Sequence, residues 1–233
     1  MSANFLYKLN EQAVRLRKQS ILEFVDPQRD AKILDLGCDN GSWSRRLGAR
    51  ANTKNLYGID IVQPRLAQAQ RNGLIVKKSD LNEKVPFPDS FFDVVHADQV
   101  IEHIGRLDNF LAEIHRVLKP GGYTIISTEN ASSWHNIGAS ILGWQIFSLT
   151  NISEKQLGIG NPLALLRGQK LKLSSWTHKT IFNYRGLYEM FSLYKFEDIK
   201  ISGAGYHPLP PYFGKIDPRH SHYITLKGYK SDK

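Results

Sequence analysis

The sequence predicts an α/β protein with a doubly wound, mostly parallel sheet. Three observations carry that prediction. Short apolar segments alternate with helix-patterned ones between residues 31 and 130, and such alternation favours parallel strands covered on both faces. The first apolar segment runs straight into a glycine-bearing turn, ILDLGCDNG (33–41). Asp35, Asp60 and Asp80 fall at or near the ends of the first three strands, the edge where open parallel sheets bind ligands.

The elements follow in order. Residues 4–24 read as an amphipathic helix, with Leu9, Ala13, Leu16 and Ile21 near one face and Pro27 beyond its end. Residues 32–36 form the first strand, and a helix with Trp43 and Leu47 comes next. Residues 56–60 form the second strand. Pro64 suits the first turn of a helix reaching Arg71. Strands are expected at 74–77 and 92–97. Leu107, Phe110, Leu111, Ile114, Val117 and Leu118 keep helical spacing, and Lys119-Pro120-Gly121-Gly122 is expected to stop that helix. A fifth strand covers 123–128. Residues 129–179 then lose the alternation and include an uncharged apolar piece at 137–149. A helix at 180–194, a strand at 196–201, a Gly/Pro/Tyr loop at 203–221 and a strand at 222–228 complete seven strands.

The chain has 233 residues, of which 41% are hydrophobic and 23% charged. That balance supports an ordinary core and argues against global disorder. No apolar run approaches the roughly 18 residues of a membrane-spanning helix. The start, MSANFLYKLNEQAVRLRK, offers no signal-peptide-like apolar stretch. A cytoplasmic protein is the expectation. The single cysteine, Cys38, excludes an internal disulfide and a cysteine-cluster metal site. One domain over 1–233 is expected: an N-terminal helix (1–30), a ligand-binding core (31–130), an insertion or lid (131–180), and a C-terminal helix with the last two strands (181–233). The net charge is +9, and +7 of it lies in residues 151–233. No run of consecutive Lys/Arg forms a nucleic-acid arm.

The turn after the first strand narrows the ligand. Gly37 lets backbone approach a bound molecule, and Gly41 lets the next helix pack closely. Asp60, 19 residues beyond Gly41, can accept hydrogen bonds from both ribose hydroxyls. Asp80 can take an adenine amine. The turn lacks the G-x-G-x-x-G register of dinucleotide enzymes. Asp35 and Asp39 would repel a pyrophosphate and attract an ammonium or sulfonium. The ligand reads as an adenosine with a cationic tail.

Five segments carry a family resemblance: ILDLGCDNG (33–41), YGIDI (57–61), SDL (79–81), PFPDSFFDVVHADQVIEHI (86–104) and RVLKPGGYTIIST (116–128). In that order and spacing the chain resembles class I S-adenosylmethionine-dependent methyltransferases. The resemblance implies a Rossmann-like seven-stranded sheet with an antiparallel last strand and an insertion after strand five. It implies S-adenosyl-L-methionine as cofactor and S-adenosyl-L-homocysteine as product. Asp35, Gly37 and Ala97 would hold the methionine part, Asp60 the ribose, and Asp80 with Leu81 the adenine. Cys38, Asp39, Gly41, Ile61 and Asp98 would complete the cofactor set. Asp39 stands where many members have a middle glycine; Asp tolerates left-handed turns better than most residues.

The acceptor side is read from the rest. His103, in VIEHI, lies beside the cofactor pocket in the family. THKTIFNYRGL (177–187) resembles a His-x-x-x-Phe-x-x-x-x-Leu segment of small-molecule methyltransferases, the ubiquinone-biosynthesis O-methyltransferases among them, and this puts His178 near the substrate. TENASSWHNIGASILGWQ (128–145) resembles segments of bacterial methyltransferases of polysaccharide and lipid-linked glycan clusters. His178, His103 and His135 are the candidate bases, since an oxygen acceptor must lose a proton. Asn130, Trp134, Tyr206 and Arg219 are the candidate substrate-binding residues. No metal is expected. The expected function is methyl transfer, at oxygen, to a small molecule that is anionic or linked to a lipid or sugar. Two alternatives stand beside it: a nucleic-acid methyltransferase using the basic C-terminal region, disfavoured by the lack of an appended RNA-binding module, and a non-catalytic interaction protein that keeps the fold. The apolar piece at 137–149 reads as a lid, with peripheral membrane contact as the other reading. Oligomeric state is left open.

Overall fold

A computed structural model of the chain describes residues 3–231. Helix α1 (Ala3–Phe24) precedes the alternating unit β1 (Ile33–Leu36), α2 (Ser42–Ala51), β2 (Leu56–Asp60), α3 (Gln63–Arg71) and β3 (Ile75–Lys78). Then come β4 (Phe92–Asp98), α4 (Leu107–Val117) and β5 (Leu118–Glu129). The insertion holds α5 (Trp134–Ile141) and two short 3₁₀ turns, Phe147–Leu149 and Ser174–Trp176. The chain closes with α6 (Tyr184–Leu193), β6 (Phe196–Ala204), α7 (Phe213–Ile216) and β7 (Tyr223–Lys230).

The seven strands lie in the order β3-β2-β1-β4-β5-β7-β6. β7 runs antiparallel to both β5 and β6, and the other pairings are parallel. β1 is buried at every position, as a central strand covered on both faces must be. Leu34, Leu36 and Val95 pack with Phe110, Ile114 and Phe191 on one face. Ile33, Val94 and Ile125 pack with Ile21, Leu47 and Leu66 on the other. The strand order reverses between β1 and β4, and ligand crevices form at such a switch point.

The structure moves several expected boundaries. β5 starts at Leu118 directly after α4, and its register with β4 shifts across Lys119-Pro120-Gly121-Gly122, where Gly121 takes φ +71°. α6 starts at Tyr184 rather than 180, because Asn183 caps it by accepting from Gly186 N at 2.7 Å. The preceding residues form an extended strap: Ala131 N donates to Phe182 O, and Lys179 N and Thr180 N donate to Glu102 O at 2.8 and 3.2 Å. The helix of the insertion ends at Ile141, just before Gly143 turns left-handed. Among the described residues no helix is long and apolar enough to cross a membrane.

Candidate active site

The turn after β1 is pinned to β2. Gly37 N and Cys38 N both donate to Ile59 O, at 2.8 and 3.0 Å. Gly37 has φ +71°, and a Cβ there would sit 2.7 Å from Val100 Cγ2. Only glycine combines that conformation with that clearance. Asp39 takes φ +48°, as its short polar side chain permits. Its N–H donates to Asp60 Oδ2 at 3.0 Å, and its carboxylate pairs with Arg65 at 3.0 Å. Asp60 Oδ1 accepts from Val62 N at 2.9 Å. Asp60 thus holds both loop ends in place and keeps lone pairs for a ligand.

Two carboxylates lie deeper. Asp35 is buried and accepts from Ser44 Oγ and, at 2.7 Å, pairs with His96 Nδ1. Asp98 ends β4 and meets Arg17 at 3.1 Å and Lys18 at 2.7 Å, both from α1. Burial alone would raise the Asp98 carboxyl; Arg17 and Lys18 outweigh it and hold it below its ordinary value.

A cavity of about 1630 Å³ opens along the carboxyl ends of the strands. That exceeds the roughly 300–1,000 Å³ of common single-ligand pockets. One end is lined by Gly37, Asp39, Asp60, Ile61, Asp80 and Leu81. The other carries His103, Trp176, His178 and a second histidine group, His135, His207 and His222. A smaller cavity of about 330 Å³ adjoins it, lined by Asp35, Cys38, Trp43 and His96 and sharing Gly37, Asp39, Asp98 and Gln99 with the first.

Comparison with known proteins fits this arrangement. Residues 34–126 match the sequence model of a methyltransferase domain. The malonyl-[acyl-carrier protein] O-methyltransferase of Erwinia billingiae is 29% identical over 137 residues, covering 58% of this chain and 52% of that protein. The mitochondrial ubiquinone biosynthesis O-methyltransferase of Mus musculus is 34% identical over 113 residues, covering 45% and 30%. An S-adenosylmethionine-dependent methyltransferase of Thermotoga maritima, described as a possible histamine N-methyltransferase, superposes with TM-score 0.59 at 16% identity, covering 98% of this chain and 97% of that one. Residues 34–126 carry a methyltransferase domain. The chain spans about half or less of the length of these two curated relatives.

Seven of the cofactor residues expected in the methyltransferase domain line the large cavity: Gly37, Asp39, Asp60, Ile61, Asp80, Leu81 and Asp98. Asp35 and Cys38 line the smaller one. Gly41 and Ala97 line neither. Gly41 seats against Ala69 and Leu74, and Ala97 is fully buried in the sheet. The Cys38 thiol packs where a Gly58 side chain would stand, 2.5 Å from that Cβ position. Burial, then Asp35 and Asp60, push this thiol far above its ordinary value, so it is inert.

The four expected substrate-binding residues line neither cavity. Asn130 is buried, and its Nδ2 donates to Arg219 O at 2.9 Å and Ser221 O at 2.8 Å. The Trp134 indole donates to Tyr206 Oη at 2.8 Å and stacks on His220. Tyr206 Oη donates to Asp217, and the Arg219 side chain is exposed. These residues tie the 203–221 loop to α5. Polar and aromatic residues in a loop near an active edge look alike whether they hold the loop or a ligand.

The three candidate histidines do reach the cavity. His103 and His178 stand with ring centroids 4.9 Å apart. The strap explains this: Lys179 N on Glu102 O fixes residue 178 beside residue 103. His103 Nδ1 faces Thr177 O at 3.2 Å and His178 Nδ1 faces Ser148 O at 2.6 Å. A carbonyl only accepts, so each Nδ1 carries the proton and each Nε2 keeps a lone pair. Burial, then the His178 charge, hold His103 down to about 4. Burial pushes the neighbouring Glu102 carboxyl up to about 8. His135 packs against His222 at 4.5 Å and His207 at 5.5 Å. Burial, then His207, lower His135 to about 3, and burial lowers His222 well below its ordinary value. Sequence reasoning missed His222, Trp176, Lys170 and Lys172 as cavity residues. No local motif marks them, because the fold brings them there from separate segments.

Proposed function

We propose that this protein transfers the methyl group of S-adenosylmethionine to an oxygen of a small, negatively charged acceptor. The observation behind this reading is the single cavity that runs from Asp60 and Asp80 to the paired His103 and His178. The residues present suit the cofactor. Gly37 lines the cavity as bare backbone, with Val100 Cγ2 2.7 Å from where a Cβ would lie; Asp60 keeps acceptor capacity for a ribose diol, and Asp80 and Leu81 would face the adenine. When bound, the cofactor supplies an electrophilic methyl on a sulfonium. The chain supplies placement, which converts a bimolecular reaction into a nearly unimolecular one. Asp35, Asp98 and Gly37 would receive the methionine end. The Glu102, His103 and His178 group would receive the acceptor oxygen and take charge of its proton.

The charge of the acceptor is inferred from Lys170, Lys172 and Lys179, which line the cavity and form no ion pair among the described residues. Other basic residues of the C-terminal region are engaged: Lys215 with Glu23, Lys227 with Asp26, and Arg185 with Glu189. Relatives that methylate carbon, such as the sterol 24-C-methyltransferase of Gibberella zeae, share part of the chain's sequence. Oxygen is favoured here because a carbon acceptor needs no paired imidazoles. The test combines calorimetry with S-adenosylmethionine and transfer of a labelled methyl group to a panel of hydroxylated acids and their neutral analogues. Binding of cofactor with turnover on acids alone is the expected result. Turnover on neutral acceptors only, or none on any hydroxyl, would overturn the acceptor assignment.

A further inference from the structure

We infer that Glu102, His103 and His178 form a binding site for one divalent cation of borderline softness, such as zinc, at the acceptor end of the cavity. One ligand atom from each residue can be chosen so that all three lie within 4.8 Å of one another. Metal–ligand bonds near about 2.1 Å bring donors to within roughly 4 Å of each other, so closure needs shifts of less than an ångström.

The details are those of ligands rather than of a packed polar cluster. Glu102 is 1% exposed, and its Oε1 has no hydrogen-bond partner. A buried carboxylate oxygen is costly to leave unpaired, so the site wants a donor or a cation there. The other oxygen, Oε2, accepts from Thr128 Oγ1 at 3.0 Å, which fixes the carboxylate plane. Both imidazoles donate Nδ1–H to backbone carbonyls, Thr177 O and Ser148 O. Metal-binding histidines are held by such outer bonds, which set the tautomer and aim Nε2 at the ion. The strap bonds to Glu102 O make the pairing rigid. Two imidazoles and one carboxylate suit zinc, iron or manganese better than calcium or magnesium. His103 and His178 line the large cavity, so a cation there would face it and leave positions for an acceptor oxygen.

This inference departs from the sequence expectation of no metal and rests on the proposed function at the same site, with one change of role: with the cation bound, both Nε2 lone pairs would be ligands, and the cation would receive the acceptor oxygen and ease loss of its proton to solvent. The two can fail separately, because the test reads metal alone. The full-length protein is stripped with chelator, dialysed, and titrated with zinc chloride by calorimetry. Cobalt chloride follows, read by its visible absorption. One equivalent bound, with a cobalt spectrum of a nitrogen- and oxygen-ligated ion, is the expected outcome. Glu102→Gln and His178→Ala should each weaken binding at least ~10-fold, with cofactor affinity and circular dichroism reporting an intact fold. His178→Gln replaces His178→Ala if the latter misfolds. Failure of the wild type to take up an equivalent of either ion at ~100 μM overturns the site, whatever the variants do. So does binding that survives Glu102→Gln/His178→Gln. If that residual binding disappears in His222→Gln, the cation belongs to the other histidine cluster.

Discussion

Acidification from pH 7 to pH 5 should strip this fold of a large part of its stability. The perturbation acts on buried imidazoles. A histidine whose folded-state pKa is depressed binds its proton only in the unfolded chain, so stability falls as pH drops below the unfolded value near 6.5. His135 sits at about 3, and His222 lies well below its ordinary value. Over this window His135 costs about 2 kcal/mol, and His222 adds a loss of the same sign. His103, at about 4, adds a similar loss. Glu102 acts in the opposite sense: its folded carboxyl, at about 8, gains a proton that the unfolded chain still lacks at pH 5. Its gain of about 2–3 kcal/mol offsets His103. The net is the loss from His135, about 2 kcal/mol, deepened by His222, which is shifted in the same direction, against a typical total of about 5–15 kcal/mol. His207 is shifted in the same direction and deepens the loss. Urea unfolding at pH 7, 6 and 5, with chelator present, measures it directly. His135→Gln should make the slope shallower. A stability that stays level or rises between pH 7 and pH 5 would refute the burial of neutral imidazoles at the acceptor end.

The remaining predictions concern single sites. Asp60→Ala should weaken S-adenosylmethionine binding at least ~100-fold, since two charge-assisted hydrogen bonds of about 1.5–3 kcal/mol each are lost; calorimetry reads it, and an unchanged affinity would remove Asp60 from the cofactor site. Gly58→Ala places a Cβ 2.5 Å from Cys38 Sγ and 2.9 Å from Cys38 Cβ and should destabilise by about 1–3 kcal/mol; Cys38→Ala removes the closer of the two contacts and should restore part of that in the double variant, and additive effects would refute the contact. Replacing Lys170 and Lys172 together by Glu should raise KM for anionic acceptors about 10-fold or more with kcat and cofactor affinity little changed. Equal KM in both proteins would place those lysines outside acceptor binding.

The cofactor half was legible because its chemistry is local. Gly37 needs its conformation from its neighbours in sequence, and Asp60 and Asp80 sit at strand ends that periodicity alone places. Their meeting in one cavity follows from strand order, which parallel connections nearly dictate. The acceptor half was legible only where a residue type was rare enough to mark itself, as with His103 and His178. Asn130 and Tyr206 were read from residue type alone, and their side chains bond groups of the 203–221 loop; a buried loop must satisfy its own backbone, and polar side chains serve that purpose. His222 escaped notice because it precedes a strand and joins His135 only through the β5–β7 pairing.

The distribution of histidines suggests why the insertion takes its path. Residues 129–179 leave β5, form α5, and return to lay residues 177–180 across Glu102. The outgoing limb brings His135 to His222 beside the last strand; the returning limb brings His178 to His103 beyond β4. One excursion of chain thereby walls two sides of the same cavity with imidazoles. Of the piece 137–149 expected as a lid, Phe147 lines the cavity while Ile141 is 80% exposed. The segment carrying Leu163, Leu165, Leu166, Lys170 and Trp176 also lines the cavity. If that segment closes over an acceptor, Trp176→Ala should raise KM more than it lowers kcat, whereas Ile141→Asp should change neither.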